Sequence, residues 1–320
     1  MATSNTDSAE QQRQRVVHLL DELAVNVGRH PTQVPGVNVV RDPNPMGRTP
    51  VVYFPAIMVV GQGRKRGYLG NRVYTYDPYN YLVLSVPLPI ECEYDCSQEE
   101  PLLAVTISVD PTIIGEVLLD IDEPLPVKES TPRAIYSTSI DARFGGAVIR
   151  LLECLRSSRD SKVLGPSIVR EIVYLVLIGE QGDALRALAR GSDHFKQIAR
   201  ALRHIHAHPE EPFSAEDLAR KAGMSVSVFH HVFKQMTATS PLQYVKRMRL
   251  DMARRLMAHE GYNAGTAASE VGYESVSQFS REFKRLFGAS PVEEASKVRA
   301  RLETQYKMKP RRKLVQSATD

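Results

Sequence analysis

The chain has 320 residues, of which 42% are hydrophobic and 24% are charged. This balance is typical of a folded globular protein and excludes a fibrous or disordered chain, while the length suggests about two domains. No stretch approaches the roughly 18 apolar residues that cross a membrane as a helix, so we expect no membrane partner.

The net charge of +4 is distributed unevenly along the chain. Lys and Arg outnumber Asp and Glu by 22 to 14 from residue 193 onward, whereas residues 1–192 carry 19 against 23. A basic segment joined to an acidic one is typical of a nucleic-acid-binding domain fused to another domain, although a solvated basic face is the commoner meaning of a few extra lysines.

The placement of cysteine and histidine argues against export and against metal chemistry. The polar N-terminus lacks a secretory pattern, and three cysteines in so long a chain indicate a reducing compartment, so we predict a cytoplasmic protein associated with the nucleoid. The segment between His30 and His194 contains no histidine. Cys92 and Cys96 supply two metal ligands at best, and phosphate-cradling and nucleophile-elbow motifs are missing. We therefore expect no cofactor and no enzyme activity.

The N-terminal half is predicted to be mainly β. A short amphipathic helix ends near Leu23, and a loop with five prolines follows between Pro31 and Pro50. The runs VVYFPAIMVV, RGYLGNRVYTY, YLVLSVPLPI and LLAVTISV then predict antiparallel strands in a small barrel or sandwich. The cations of GQGRKRG could hold an anion, but a loop of this composition is more often the end of a hairpin.

The segment after Val109 is predicted to be helical. Asp110 and Pro111 form a typical cap and first turn. Two longer amphipathic helices are predicted over residues 146–156 and 166–178, each with one broad apolar face. These helices either cover the core of the β unit or pair with a second copy of the chain, and the sequence leaves both possibilities open.

The C-terminal half begins with a break at residues 191–193 and a helix that starts near Phe195. His204, His206 and His208 alternate near the end of that helix. This spacing turns the middle histidine away from the other two, so surface positions are favoured over a metal site.

One segment of this half occurs twice at a fixed offset. Residues 225–241 read SVSVFHHVFKQMTATSP and residues 275–291 read SVSQFSREFKRLFGASP. In each copy a short helix ends at a glycine and a serine then caps the next helix, which is the pattern of a helix-turn-helix motif. A helix that starts at Pro241 links the copies, and its length predicts a separation near one DNA turn of about 34 Å.

Each recognition helix divides its residues between a core and an outward face. Phe229 and Phe233, like their counterparts in the second copy, lie four residues apart and are predicted to be buried. On the outward face, Arg and Gln can reach guanine and adenine edges, Val can touch a thymine methyl, and the remaining polar residues can reach bases or phosphates. The predicted DNA-binding residues are Ser227, His230, His231, Lys234, Val276, Ser277, Gln278, Ser280, Arg281 and Lys284.

These motifs resemble a known family. The segments GMSVSVFHHVFK, SPLQYVKRMRLDMARRLM and VGYESVSQFSREFKRLFG closely resemble the DNA-binding domain of the AraC/XylS family of bacterial transcription regulators. The segment GQGRKRGYLGNRVYTYDPYNYLVLSVPLP is similar to a cupin-type regulatory domain of that family. The resemblance implies an α+β protein: an N-terminal antiparallel β-barrel or sandwich with helices, followed by an all-α domain with two helix-turn-helix motifs joined by a long helix.

The resemblance also implies a domain order and a function. We expect a cupin-like regulatory, effector and dimerisation domain over residues 1–190, a bipartite DNA-binding domain over 191–305 and a basic flexible tail over 306–320. The expected function is a DNA-binding transcriptional regulator, an activator, with promoter DNA, RNA polymerase, a small-molecule effector and a second copy of the chain as partners. Two alternatives remain: a cupin-like enzyme with an accessory DNA-binding domain, and an effector-independent module whose β domain only dimerises.

Overall fold

The computed structural model describes residues 3–121, 133–189 and 193–307. The predicted break at residues 191–193 and the predicted tail over 306–320 therefore lie mostly outside the described residues. The strands are β1 (Gly28–Pro31), β2 (Val37–Asp42), β3 (Met46–Tyr53), β4 (Ala56–Gln62), β5 (Arg64–Leu69), β6 (Arg72–Tyr76), β7 (Asn80–Leu84), β8 (Leu88–Asp95), β9 (Leu102–Ser108) and β10 (Ile135–Ser139).

Helices precede and follow this β unit. They are α1 (Thr3–Leu23), α2 (Pro111–Asp120), α3 (Ala142–Cys154), α4 (Ser158–Val163), α5 (Gly165–Ile178), α6 (Asp183–Ala189), α7 (Asp193–Ala207), α8 (Ala215–Lys221), α9 (Val226–Thr237), α10 (Pro241–His259), α11 (Ala264–Glu270), α12 (Val276–Phe287) and α13 (Pro291–Lys307). The predicted order of a β unit with helices followed by an all-helical region is confirmed.

The strands form two antiparallel sheets that face each other. One sheet has the order β1-β2-β9-β4-β7-β10 and the other has the order β3-β8-β5-β6. The chain changes sheets between β3 and β4, at Phe54 and Pro55, and changes back between β4 and β5 at Gly63. Gly63 has a φ of 85°, a backbone conformation that favours glycine.

Two expectations for this half were wrong. The proline-rich stretch contains β1, β2 and the start of β3 rather than a loop, because Pro31 and Pro50 lie in edge strands, where a missing amide hydrogen is tolerated. The cations of GQGRKRG do not lie at a hairpin end. Arg64 to Arg66 instead begin strand β5, which continues to a turn at Gly70.

A layer of helices covers the six-stranded sheet. Helices α1, α3 and α5 pack side by side, and α1 also packs on β4 and β9. Leu20, Val105, Leu151 and Ile172 are fully buried between these layers. The two amphipathic helices predicted near residues 146–178 therefore cover the core of the β unit, which was one of the two possibilities left open.

The C-terminal helices form two helix-turn-helix units, α8–α9 and α11–α12, joined by α10. Serine side chains at Ser214, Ser225 and Ser275 accept hydrogen bonds from backbone amides at the starts of α8, α9 and α12. Such caps stabilise a helix by about 1 kcal/mol each. Helix α10 has 19 residues and so spans about 28 Å.

The two units differ in the core they belong to. Phe229 and Phe233 of the first unit share one buried cluster with Leu82 and Leu84 from the interior of the β unit. The second unit has a separate cluster that includes Phe279 and is closed by residues of α10, α11 and α13. The β unit and the first helix-turn-helix unit are therefore continuous in packing.

Candidate nucleic-acid interface

Each of the recognition helices α9 and α12 is held to its core by an equivalent pair of phenylalanines. The rings of Phe229 and Phe233 lie 5.4 Å apart, and the rings of Phe279 and Phe283 lie at the same distance. All four side chains are fully buried, as predicted. Because these residues fix one face of each helix to the core, the opposite face must point to solvent.

The outward face of α9 contains most of the residues that are predicted to contact DNA from the first helix-turn-helix unit. Ser227, His231 and Lys234 are exposed, whereas His230 is half-buried with its ring edge against Phe229. The amide of Gln235 lies 2.9 Å from Nε2 of His231. This contact one helical turn away holds the imidazole of His231 in one orientation.

The outward face of α12 carries more of the predicted DNA-binding side chains than that of α9. Val276, Ser277, Gln278, Arg281 and Lys284 are exposed, and Ser280 is half-buried. These side chains surround the N-terminal part of the helix, which is the part of a recognition helix that enters the major groove.

Glu282 organises the side of α12 that faces the linking helix. Its carboxylate accepts hydrogen bonds from Lys246 at 2.9 Å, from Tyr273 at 2.9 Å and from Gln278 at 3.2 Å. Burial alone would raise the pKa of Glu282, but these hydrogen bonds lower it below its ordinary value. The carboxylate therefore stays charged and ties the predicted base reader Gln278 to the scaffold.

Arg249 of the linking helix joins the two units. Its guanidinium donates to the carbonyl oxygens of Pro209 at 2.8 Å and Glu211 at 2.6 Å, which precede the first unit. It also donates to the carbonyl of Gly272 at 3.1 Å, in the turn of the second unit. Only a planar guanidinium offers donors in enough directions for this arrangement, so Arg249 fixes the angle between the units.

The β unit contacts the linking helix through two polar ties. Arg255 of α10 donates to the carbonyl of Val52 at 2.9 Å and lies over the ring of Phe54. Tyr244 of α10 donates from its hydroxyl to the carbonyl of Pro87 at 2.8 Å. Both acceptors lie at the ends of strands of the four-stranded sheet, so this edge of the sheet is attached to the DNA-binding half.

His206 of α7 completes this interface. Its Nε2 lies 2.8 Å from the hydroxyl of Tyr244, whose proton already goes to Pro87, so the imidazole donates. Burial and the nearby Arg255 lower the pKa of His206 to about 4. As predicted, His206 points away from the other two histidines, whose rings lie 5.0 Å apart. The predicted surface position is wrong for His206, because it packs between Tyr244 and Phe54.

The interior of the β unit contains an unexpected cation. The ammonium of Lys65 lies between 5.1 and 5.7 Å from the ring centres of Tyr53, Tyr76 and Tyr94. No carboxylate is paired with it among the described residues, but Asp42, which the hydroxyl of Tyr94 binds, is close enough to help raise the pKa of Lys65. The positive charge of Lys65 is therefore partly balanced within the β unit.

The hydroxyl groups around Lys65 are connected to each other. Tyr53 donates to Sγ of Cys92 at 3.0 Å, and its oxygen lies 3.1 Å from that of Tyr76. Burial raises the pKa of Tyr53 to about 12, so this phenol stays protonated at neutral pH. Burial by itself would lower the pKa of Lys65, but Tyr53 and Cys92 outweigh it and the pKa is raised.

Sequence reasoning weighs an anion role for Lys65 but favours a hairpin end, and it misses Arg249 and the interface residues. A signal existed for Lys65: it alternates with Gly67 and Leu69, which are buried, whereas Arg66 and Tyr68 alternate on the outer face. A period of two places Lys65 inside. The contacts of Arg249 and His206 connect distant segments, and no local pattern indicates them.

Two further findings concern the described part of the chain. Within residues 3–121, 133–189 and 193–307, no group of three or more His, Cys, Asp or Glu side chains is placed to hold a metal ion. None of the helices in these ranges combines the length and the apolar character that a membrane crossing requires.

Two helix-turn-helix units on one linking helix, joined to a two-sheet β domain, define a DNA-binding regulator with a separate sensing domain. Comparison with known proteins agrees with this class. Residues 33–184 match the model of the AraC-type transcriptional regulator N-terminus, and residues 218–296 match a helix-turn-helix domain model. The chain therefore belongs to the AraC/XylS family of transcriptional regulators.

Individual relatives match parts of the chain. The transcriptional regulator AlkR of Acinetobacter baylyi is 39% identical over 95 residues, which are 30% of this chain and 31% of AlkR. The chain thus spans about a third of the length of the curated relatives it matches. A structure of apo ToxT from Vibrio cholerae aligns with a TM-score of 0.57 at 12% identity, over 81% of this chain and 96% of ToxT. Its fatty-acid-bound form aligns with a TM-score of 0.55 at 12% identity, over 84% and 96%. These structures share the fold.

Proposed function

We propose that this chain binds promoter DNA in a sequence-specific manner and activates transcription. The observation that carries the proposal is the pair of capped helices α9 and α12, which present outward residues at matching positions from one rigid linking helix. The proposed contact residues are Ser227, His230, His231, Lys234, Val276, Ser277, Gln278, Ser280, Arg281 and Lys284.

The exposed residues of α12 give the stronger sequence discrimination in this proposal. Arg281 can bind the O6 and N7 acceptors of guanine with two hydrogen bonds, and Gln278 can bind adenine in the same way. Val276 offers a methyl contact to thymine. Lys234 and Lys284 pair with phosphates, which adds affinity without sequence preference.

We further propose that an organic anion in the β unit controls DNA binding. In this proposal Lys65 supplies the charge, the tyrosine hydroxyls around it donate or accept hydrogen bonds, and buried leucines of the same core contact the apolar part of the ligand. The fatty acid bound to the structural relative ToxT is an anion of this kind. In this proposal the β unit senses a ligand and does not catalyse a reaction.

Other partners follow from the same proposal. A regulator of this kind acts in the cytoplasm on the nucleoid, contacts RNA polymerase and can pair with a second copy of the chain. The test of pairing is the mass of the full chain in solution, measured by light scattering with and without promoter DNA.

Genomic footprinting of the full chain, with and without a panel of carboxylic acids, tests the proposal. Discrete protected sites are expected, and their occupancy should change with at least one acid. On such a site, Arg281→Ala should lower affinity by about 1–3 kcal/mol and relax preference at one base pair. Lys234→Ala should weaken binding to all sequences alike. Uniform protection without discrete sites would contradict sequence-specific binding.

A further inference from the structure

A polar cleft lies where the β unit meets the end of the first recognition helix. It has a volume of about 620 Å³ and is lined by the β5–β6 hairpin and β10 on one side and by the last turn of α9 on the other. The two sides touch at the hairpin turn, since a Cβ placed on Gly70 would come within 3.3 Å of Cβ of Ala238. The cleft therefore belongs to both halves of the molecule.

Two arginines of the cleft have no carboxylate partner within residues 3–121, 133–189 and 193–307. Arg72 and Arg133 line it and are exposed, and neither forms an ion pair or hydrogen bond with the described residues. Its described lining contains no Asp or Glu. By contrast, Arg66 on the neighbouring strand is paired with Glu93 at 2.8 Å and with Asp95 at 3.0 Å. Arg72 thus differs from Arg64 and Arg66 of the same sheet, both of which are paired with carboxylates.

The cleft is continuous with the DNA-reading face of α9. Gln235 lines the cleft and at the same time contacts His231, one of the proposed base readers. Helix α9 has 12 residues and is about 18 Å long, whereas the major groove is about 8.5 Å deep. When the N-terminal part of α9 occupies the groove, its last turn and the adjacent cleft lie outside the groove, on the side of the phosphates.

We propose that the regulatory domain itself contacts DNA, with Arg72 and Arg133 binding backbone phosphates beside the segment that α9 reads. The inference rests on the proposed DNA binding by α9. Pockets for small ligands are mostly apolar, whereas this cleft is open and mainly polar. Arginines without carboxylate partners beside a recognition helix are the pattern of a phosphate-contacting surface.

This contact would link the sensing domain to DNA affinity. Strand β5 runs from Lys65 in the interior of the β unit to Gly70 at the cleft. A displacement of β5 by an effector at Lys65 would move the hairpin and Arg72 relative to the phosphates. By reciprocity, DNA bound at the cleft would change effector affinity by the same factor.

The test uses the full chain and a mixed-sequence duplex, because phosphate contacts do not depend on sequence. Binding is measured by fluorescence anisotropy over a range of salt concentrations. The double substitution Arg72→Ala with Arg133→Ala should reduce the slope of log K against log salt by about 1.8, or about 0.9 for each phosphate lost. Replacement of both arginines by lysine should restore most of the slope, since lysine also pairs with phosphate.

A matched control is the double substitution Arg143→Ala with Arg159→Ala, which removes two exposed arginines from α3 and α4. This variant should keep the wild-type slope. If the wild-type chain shows no salt-dependent binding, the proposed function itself fails. If the wild type binds but the alanine variant at the cleft, folded by circular dichroism, keeps the full slope, the DNA contact alone is wrong. A full slope together with loss of thermal stabilisation by inorganic phosphate would identify a free-anion site instead, and would also overturn the proposal.

Discussion

The two helix-turn-helix units share a sequence pattern but differ in what stabilises them. The first unit packs its phenylalanines into a cluster that extends into the β unit, whereas the second closes its own small cluster with α10 and α13. A repeat that is symmetric in sequence is therefore asymmetric in packing. Only a unit that shares its core with the sensing domain can respond directly to changes there, so signals should reach the first unit before the second.

The polar contacts of the two helix-turn-helix units differ in the same way. Tyr244 and Arg255 attach the β unit to the start and the end of α10. His206 of α7 bonds to Tyr244 and packs its ring against Phe54 of the β unit. The second unit is tied through Glu282 to Lys246 and through Gly272 to Arg249. Its position relative to the β unit is set by the linking helix together with contacts between α12 and β3.

The largest loss of stability is expected from equivalent phenylalanine substitutions in the two units. These substitutions should destabilise different parts of the molecule. Phe233→Ala and Phe283→Ala each remove a fully buried ring and should cost about 3–5 kcal/mol. Hydrogen exchange should rise over α7–α10 and strands β7 and β8 for Phe233→Ala. For Phe283→Ala it should rise over α11–α13 and leave the β unit protected.

The two variants serve as controls for each other, since the residue type, burial and helix position are the same. Equal exchange in the β unit for both variants would show that the second unit is coupled to the sensing domain as strongly as the first. The difference between the two hydrophobic clusters would then not determine which parts of the chain unfold together.

Arg249→Ala should separate the two units while leaving each one folded. Three backbone carbonyls lose their donor, and we expect a loss of about 2–3 kcal/mol in urea unfolding, together with weaker binding to sites that need both units. Arg249→Lys should recover only part of this, because an ammonium does not match the fork geometry. Arg247→Ala, an exposed neighbour on the same helix, should change little. Full recovery by lysine would contradict the geometric role.

Acid should weaken the interface of the first unit through His206. Its pKa is about 4 in the folded chain and about 6.5 in the unfolded chain, so the unfolded state takes up the proton first as the pH falls. The stability contributed by neutral His206 is complete above pH 6.5 and is lost as the pH falls towards 4. Between pH 7 and pH 5 the loss should be about 2 kcal/mol.

The controls for this pH effect are two histidine substitutions. His206→Gln keeps a donor for Tyr244 and cannot take up a proton, so its unfolding free energy should depend less on pH. His259→Gln, at an exposed position on α10, should keep the wild-type dependence. An unchanged pH profile in His206→Gln would show that another group causes the acid sensitivity.

The features predicted correctly from the sequence are those determined within one turn of helix or one strand. Ser225 and Ser275 cap helices because a hydroxyl reaches an amide three residues ahead, and Phe229 and Phe233 are buried because they lie one turn apart. The base readers follow from the same spacing, although their DNA contacts remain a prediction. Local geometry was sufficient for these residues.

The features that were missed depend on contacts between distant segments. The composition of GQGRKRG predicts a hairpin end for Lys65, whereas its position inside the β unit depends on tyrosines from three other strands. The shared core of the β unit and the first helix-turn-helix unit depends on contacts between residues such as Pro87 and Tyr244. A composition that marks two domains does not reveal how closely they pack.

The smallest expected effect concerns the left-handed residue that ends each recognition helix, which is alanine in the first copy and glycine in the second. Ala238 and Gly288 occupy the same position with φ values of 55° and 77°, a region that costs a residue with a side chain about 1–2 kcal/mol. Gly288→Ala should lower stability by about 1 kcal/mol through the backbone alone, since a Cβ there meets nothing within 4 Å. Ala238→Gly should raise stability by less than this, because it also removes the contact with Gly70. Thermal unfolding of both variants measures the difference, and equal and opposite shifts would show that the contact between hairpin and recognition helix contributes nothing.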